Sequence, residues 1–406
     1  MADQSGLNTN DPRSSGPKNT APKPSFFNDP KVRGIFYQLV VMVVIITFVV
    51  IVAKNTAANI AAQNKSTGFD FFFQPSGFNI NFALIPYDRA SYYWEAFVVG
   101  MLNTLLVSVI GVILATILGF TLGIARLSNN WIIAKLSMVY VETIRNVPLL
   151  LQLFFWYMII LKTMPSVKQS FEWFNSFFFN QRGIYFPKPV PDATFNWVIL
   201  ALFVAVIGAL ALKYWAKKRL EQTGHRFPVF WASIGVLISL PALVWLLSGA
   251  NVALDLPVFK GFDFKGGLVL PSEFLALLFG LVIYTAAFIA EIVRSGIVSV
   301  NKGQTEAAQS LGLKDGDRLR LVIIPQAMRV IIPPLTSQFL NLTKNSSLAA
   351  AIGYPDLVSV FMQTTLNQTG RAVEIVFVTM MVYLTLSLAT SAFMNWYNAR
   401  VAMVER

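Results

Sequence analysis

Residues 301–325 read NKGQTEAAQSLGLKDGDRLRLVIIP, a polar segment whose composition is typical of an ordered loop in water. Residues 304–311 favour a helix, and Gly312 tolerates the left-handed conformation in which helices often end. Asp315 is suited to cap a second helix, which Pro325 would stop. The segment therefore predicts two short helices.

The first of these helices has a small apolar face. Ala307, Ala308 and Leu311 form that face, and Glu306 lies beside it. Such a face fits a groove on a partner protein, although an ordinary amphipathic loop has the same pattern. The sequence around the segment has to decide between these two interpretations.

Long apolar runs on both sides of the segment identify a membrane protein. Hydrophobic residues make up 55% of the 406-residue chain and charged residues 13%, about half the charged share of a soluble protein. A membrane span needs about 20 mostly apolar residues. Seven runs meet this requirement, at residues 36–53, 97–120, 136–161, 195–212, 229–249, 272–293 and 373–396. Residues 326–350 form a weaker eighth candidate because they contain Arg329, Lys344 and two prolines.

The distribution of basic residues predicts how the spans are oriented. Residues 1–34 are rich in Pro, Ser and Lys, which predicts a disordered cytoplasmic tail. A retained anchor at 36–53 is favoured over a cleaved signal peptide because a long polar segment precedes it. With eight spans, basic residues in inner loops outnumber those in outer loops by about two to one. This bias predicts that both termini are cytoplasmic.

The composition excludes several kinds of function. The chain has no cysteine and a single histidine, so disulfides, thiol catalysis and zinc sites built from these residues are excluded. No phosphate-binding loop of the G-x-x-x-x-G-K-[ST] type occurs, so the chain is not expected to bind ATP. The net charge of +12 is assigned to the inner loops and not to nucleic-acid binding. We therefore expect no catalytic residue, no metal site and no cofactor in this chain.

Two sets of polar residues interrupt the apolar spans. An ionisable residue in mid-membrane costs about 2.5 to 3.5 kcal/mol and normally faces a cavity or a partner. In the third predicted span, Glu142, Arg145 and Asn146 share one helical face by their i, i+3, i+4 spacing. The second set lies in the weak eighth span and consists of Ser337, Asn341, Lys344, Asn345, Ser346 and Ser347. Both sets are candidates for a substrate path. The alternative for the first set is an internal ion pair between Glu142 and Arg145, and for the second set a lining role is favoured over helix packing.

The spacing of Glu306, Ala307, Ala308, Gly312 and Pro325 resembles the EAA loop of bacterial ABC importer permeases. Four further stretches are similar to the polar amino acid permeases, the histidine and glutamine importer group. They are GMLNTL at 100–105, YVETIRNVPLLLQLFF at 140–155, YTAAFIAEIVRSGI at 284–297 and QAMRVIIPPLTSQFLNLTKNSSLAAAIG at 326–353. One additional N-terminal span and an inserted span pair resemble the longer permeases of the general L-amino acid importers of alphaproteobacteria.

The resemblance implies an all-α polytopic protein of about eight transmembrane helices with the type I ABC importer permease fold. Residues 35–96 would form the extra helix and a periplasmic loop, and residues 97–398 the permease domain, followed by a short cytoplasmic tail. An insertion would occupy about 163–271. The EAA loop at 301–325 would act as the coupling helix that docks on a cytoplasmic ATPase.

The resemblance also implies the partners. They are a cytoplasmic ABC ATPase dimer that binds ATP and Mg, a second permease subunit, a periplasmic amino-acid-binding protein, membrane lipid and an L-amino acid. By their chemistry, Arg145, Lys344 and the Asn and Ser side chains are candidates to bind the carboxylate of an amino acid, and Glu142 or Glu291 its ammonium group. For Glu291, near the end of a span, an internal ion pair with Arg294 is favoured. An independent secondary transporter or channel is the alternative class, and it predicts inverted repeats. The sequence has no convincing internal repeat.

Overall fold

The computed structural model describes residues 30–62, 67–225 and 227–401. The chain divides into two units, Met1–Thr67 and Gly68–Arg406. In the first unit, helix α1 (Pro30–Ala62) contains the predicted span 36–53. The helix begins within the predicted tail, whose residues 1–29 lie outside the described part of the chain.

The second unit is mainly helical. Its α-helices are α2 (Tyr93–Ala125), α3 (Trp131–Asn146), α4 (Leu149–Thr163), α5 (Phe195–Thr223), α6 (Val229–Ser248), α7 (Ser272–Val298), α8 (Lys302–Ser310), α9 (Asp315–Arg318), α10 (Ile324–Asn345), α11 (Leu366–Thr369) and α12 (Ala372–Val401). Within the described residues, seven helical segments are long and apolar enough to cross a membrane. The count rises to eight if α3 and α4 form one broken span. The prediction of about eight spans is confirmed.

The third predicted span is a broken helix. Residues 136–161 were predicted as one span, and in the structure α3 and α4 meet within it at an angle of 108°. Pro148 explains the break, because its ring disfavours the helical conformation at the preceding residue. Val147 is extended, with φ −101° and ψ 129°. The Gln152 amide nitrogen donates to the backbone oxygens of Ile144 and Val147, each at 2.9 Å, and so holds the bend together.

Helices α2 and α7 pack closely along their lengths. Two apolar clusters form where α4 and α10 join this pair. Gly119 and Gly123 of α2 permit the close approach, because a β carbon at either position would collide with Ile289 or Val293 of α7. The two glycines form a G-x-x-x-G pair, the spacing at which small residues allow helix backbones to approach.

The stretch GMLNTL at 100–105 connects α2 to the chain that follows α10. The Asn103 amide nitrogen donates to the backbone oxygens of Phe82 and Pro355, each at 2.8 Å. The Thr104 hydroxyl accepts the Leu357 N–H at 3.0 Å. At Gly100, a β carbon would lie 3.0 Å from the Leu357 Cα atom. This motif therefore holds two distant segments together.

The weak eighth span is helical, as predicted. A π-helical turn at Leu319–Ile323 joins α9 to α10, and a 3-10 turn at Ser346–Ala351 follows. The whole of Asp315–Ala351 qualifies as one membrane-length segment, although its hydropathy is the lowest of the seven. A second π-helical stretch, Val358–Thr365, leads into α11 and α12.

The insertion contains strands that the sequence did not predict. These are β1 (Phe171–Trp173), β2 (Phe177–Asn180), β3 (Gly183–Phe186), β4 (Lys188–Pro191), β5 (Val252–Asp255), β6 (Val258–Lys260), β7 (Asp263–Lys265) and β8 (Leu268–Pro271). They form three antiparallel sheets, with the orders β1-β2-β3-β8, β4-β5 and β6-β7. Strand β4 precedes α5 and strand β5 follows α6, so their pairing brings together the start of α5 and the end of α6.

Candidate functional site

Helix α8 is the nine-residue helix of the candidate coupling loop. The Asn301 side chain caps its start by accepting the Gly303 N–H at 2.8 Å. The Gln326 amide nitrogen donates to the Gln304 side-chain oxygen at 3.1 Å. Helix α8 is therefore connected to the beginning of α10 as well as, through three residues, to the end of α7.

The end of α8 has the geometry that Gly312 was predicted to allow. Gly312 has a φ of +74°, and its N–H donates to the Gln309 oxygen at 2.8 Å. The Leu313 N–H donates to the Ala308 oxygen at 3.2 Å. These two bonds form a Schellman motif, which satisfies carbonyls that the last helical turn leaves free.

The three apolar residues predicted at the first helix of the loop differ in exposure. Ala308 is buried against the protein, with only 3% of its surface exposed. Ala307 is exposed, and Leu311, one turn further on, is 81% exposed. Glu306 is also exposed. Ala307 and Leu311 are about 40° apart around the helix axis and both face outward, whereas Ala308 packs inward, so the exposed face keeps only two of the three predicted residues.

Pro325 does not end the second helix of the loop. The helix that begins at Asp315 continues through the π-helical turn into α10, and Pro325 lies in the first turn of α10. Proline is tolerated there because the π-helical turn directly before it already interrupts the regular α-helical hydrogen-bond pattern. Lys314, and not Asp315, occupies the position before this helix. Asp315 instead forms a 3.0 Å ion pair with Arg318.

The polar residues of α10 form an exposed stripe. Ser337, Asn341 and Lys344 all have exposed side chains in the chain taken by itself. Their spacing of four and then three residues places them on one face. An exposed polar stripe on a membrane-length helix is expected to face a cavity or another chain, because lipid does not hydrogen-bond it.

The three residues after Lys344 differ in position. Asn345 and Ser347 are partly buried, whereas Ser346 is fully buried. The Ser346 hydroxyl donates to the Thr343 oxygen at 2.7 Å. The placement of Ser346 contradicts a lining role for its side chain, because the 3-10 turn that ends α10 rotates it into the protein.

A cavity of about 490 Å³ lies between the end of α10, the second π-helical stretch and α12. Lys344 and Ser347 line it from one side. Its other lining residues are Val358, Met362, Thr379, Met380, Tyr383, Leu384 and Ser387. The sequence analysis did not identify Thr379, Tyr383 and Ser387 of α12. Their spacing of four residues was the available signal, because it places one polar group on each turn of an apolar helix.

Glu142, Arg145 and Asn146 lie at the end of α3 and do not line this cavity. All three are exposed. Arg145 lies over the Phe288 ring of α7, 5.1 Å from its centroid. Among the described residues, no ion pair joins Arg145 to Glu142. They lie in the last turns of α3, directly before the break at Pro148, and their role in a substrate path stays a prediction.

Glu291 is held by two arginines. Its carboxylate pairs with Arg294 one turn along α7, at 2.6 Å. It also pairs with Arg126, the residue directly after α2. These contacts favour a role in anchoring the ends of α2 and α7, and Glu291 has little capacity left for a substrate ammonium group.

The membrane-length helices, the loop around α8 and the cavity beside Lys344 are together typical of a multi-pass membrane transport protein. The family described as binding-protein-dependent transport system inner membrane component matches residues 198–403. The chain is 50% identical over 378 residues to the general L-amino acid transport system permease protein AapQ of Rhizobium johnstonii, covering 93% of this chain and 94% of AapQ.

A second relative is the glutamate/glutamine/aspartate/asparagine transport system permease protein BztB of Rhodobacter capsulatus. It is 41% identical over 409 aligned positions, covering 93% of this chain and 96% of BztB. A solved structure titled "Crystal structure of an amino acid ABC transporter with histidines" is 22% identical, with a TM-score of 0.44, and covers 76% of this chain and 95% of that one.

The chain belongs to the family of binding-protein-dependent transport system inner membrane components. It is a permease subunit of an ABC importer, and the ATPase activity of such a transporter is in a separate subunit. The family implies a binding protein and an ATPase as partners in general, and the inner membrane as the location. The predicted fold class and the permease assignment are confirmed.

Proposed function

We propose that this subunit translocates L-amino acids across the bacterial inner membrane by alternating access, driven by a separate ATPase. The similarity to AapQ and BztB, a general L-amino acid and a glutamate/glutamine/aspartate/asparagine permease protein that match over nearly the whole chain, supports the substrate class. The observation that carries the coupling mechanism is the fixed position of α8. This helix lies between two membrane-length segments and presents Ala307 and Leu311 to a partner.

The contacts of α8 suggest how movement is transmitted. Its N-terminal end is three residues from α7, and Gln304 is hydrogen-bonded to Gln326 of α10. Ala308 is buried against the rest of the unit. A partner that displaces α8 would therefore displace α7 and α10 with it, because these contacts leave α8 little independent freedom.

The cavity beside Lys344 is the proposed substrate path within this subunit. The Lys344 ammonium group can pair with an amino-acid carboxylate, and the Ser347, Thr379 and Tyr383 hydroxyl oxygens can accept from an ammonium group. Asn341, one turn before Lys344, extends the polar stripe. Glu142, Arg145 and Asn146 remain candidates for contact with substrate or with a second subunit.

The exposed stripe of α10 supports a second permease subunit, either identical or related. A lipid-facing position would leave Asn341 and Lys344 without polar partners, whereas a path between two subunits would hydrate them. We place both termini in the cytoplasm, where α8 would meet a dimer of ATPase subunits. ATP and Mg would be bound by that dimer and not by this chain, and a periplasmic binding protein would deliver substrate.

Copurification and coupled assays test this function. The affinity-tagged chain should bring down an ATPase subunit, and Glu306→Gln or Gly312→Ala should reduce substrate-stimulated ATP hydrolysis in proteoliposomes. Gly316→Ala is the matched control, because Gly316 has open space at its β position and no positive φ. Transport by the isolated chain driven by an ion gradient would overturn the proposal in favour of a secondary transporter.

The substrate path has its own test. Lys344→Gln and Asn341→Ala should each reduce amino-acid uptake while the ATPase still copurifies. Lys162→Gln, at an exposed lysine of α4 outside the cavity, should leave uptake unchanged. Normal uptake in both cavity variants would reject the path and leave the coupling assignment standing.

A further inference from the structure

A groove lies between α5 and α6, near the turn that joins the two helices. The groove has a volume of about 690 Å³ and lies between the last turns of α5 and the first turns of α6. Two lysines and several large apolar side chains line it, including Lys213, Lys217, Phe227, Phe230, Ile234 and Leu237. Both helices are apolar enough to cross a membrane, so this groove opens within or at the edge of the lipid layer.

The charge in the groove is positive. Lys213 and Lys217 are one helical turn apart and so project to the same side of α5. No acidic residue is among the described residues that line the groove. Glu221 lies 3.9 Å from the Lys217 ammonium group, and both side chains are largely exposed. An exposed pair at this distance contributes little, so an anion can displace Glu221.

Aromatic residues mark the level of the membrane surface at this groove. The Arg219 guanidinium lies 5.3 Å from the Trp215 ring centroid and 5.9 Å from that of Phe227. The Trp215 and Phe227 rings are themselves in edge contact at 5.4 Å. Tryptophan and cationic side chains are typical of the boundary between headgroups and hydrocarbon. The cluster holds Phe227 in the groove wall and places the lysines at headgroup depth.

We propose that this groove binds an anionic phospholipid. The phosphate would be held between Lys213 and Lys217, and an acyl chain would lie along Ile234 and Leu237 toward the membrane interior. A basic pocket between membrane helices suits an anionic headgroup. A small soluble anion would leave the apolar walls uncovered, whereas a phospholipid matches both the charge and the walls.

Lipid titration of the purified full chain tests the proposal. The probes are phosphatidylglycerol and phosphatidylcholine of the same acyl composition, with binding followed by native mass spectrometry. We expect Lys213→Gln/Lys217→Gln to weaken phosphatidylglycerol binding roughly thirtyfold, since each lysine near an anionic surface contributes on the order of fivefold. Lys135→Gln/Lys218→Gln removes the same charge from exposed lysines outside the groove, and should change binding less than about twofold.

Lys213→Arg/Lys217→Arg should retain binding, which separates loss of charge from misfolding. Equal affinity for phosphatidylcholine would overturn the proposal. Displacement of the lipid by excess inorganic phosphate would also overturn it, because the site would then recognise phosphate alone. Equal losses in the groove variant and the control variant would show general attraction to the membrane surface and would reject a specific site.

Discussion

Gly123 of α2 lies so close to Val293 of α7 that a β carbon at position 123 would be 2.7 Å from the Val293 Cβ atom. Gly119 has the same relation to Ile289, at 2.6 Å. Both neighbours are β-branched residues with little freedom to move aside. The contact between α2 and α7 therefore depends on the absence of side chains at these two positions.

Replacement of Gly123 by alanine should destabilise the subunit. Overpacking of a well-packed contact typically costs about 1 to 3 kcal/mol, so we expect a lower thermal unfolding temperature in detergent. Gly235→Ala in α6 is the control, because a β carbon there meets no atom within 4 Å. Equal unfolding temperatures for Gly123→Ala and the wild type would show that the contact between α2 and α7 accommodates the added methyl group without loss of stability.

Replacement of Leu311 by serine should weaken binding of the ATPase without unfolding the subunit. Leu311, the residue directly after α8, is 81% exposed, so its removal leaves no cavity, and its expected contacts are with the partner. We expect a several-fold weaker association, measured by surface-immobilised binding of the ATPase. Leu254→Ser removes a leucine that is 60% exposed on β5, and should have no effect. If the two variants behaved alike, Leu311 would not be at the interface.

Replacement of Arg371 by glutamine should release the segment at 68–92. The Arg371 side chain is 7% exposed and pairs with Asp70 at 3.1 Å, and it donates to the Gly68 oxygen at 3.0 Å. Loss of a buried charged hydrogen-bonding group costs about 1 to 3 kcal/mol. Hydrogen exchange should therefore be faster in this segment.

The control for Arg371 is a surface ion pair. Arg182 pairs with Asp263 at 2.6 Å, but both side chains are about half exposed. Exposed ion pairs contribute about 0 to 1 kcal/mol, so Arg182→Gln should change local exchange only slightly. A larger effect at Arg182 than at Arg371 would contradict the importance of burial.

Asp192 should make the start of α5 sensitive to acid. Hydrogen bonds from the Thr194 hydroxyl and the Asn251 N–H to its carboxylate lower the pKa of Asp192 below the usual value of 3.8. A lowered pKa stabilises the folded state above the unfolded pKa, and this contribution is lost as the pH falls through the folded pKa. The protection factors of the first α5 amides, which correct for the pH dependence of intrinsic exchange, should therefore fall below about pH 4. Asp192→Asn should remove that pH dependence.

The sequence by itself determined the features that depend on local composition. Apolar runs located most of the membrane-length helices, and the weak span at 326–350 was retained because eight spans place most basic residues in the inner loops. The composition of residues 301–325 also predicted α8 and the positive φ at Gly312. These features follow from hydrophobicity, helix propensity and glycine geometry, each of which acts over a few residues.

The tertiary structure decided the features that depend on contacts between distant segments. Sequence spacing did not show that Ala308 packs inward while Leu311 remains exposed, because that depends on which neighbours α8 meets. It also did not place Tyr383 opposite Lys344, nor pair β4 with β5 across the hairpin. The 108° break could have been suspected from Pro148, but its angle is stabilised by the Gln152 side chain. Packing and long-range hydrogen bonds fix these contacts, and neither can be predicted from a short stretch of sequence.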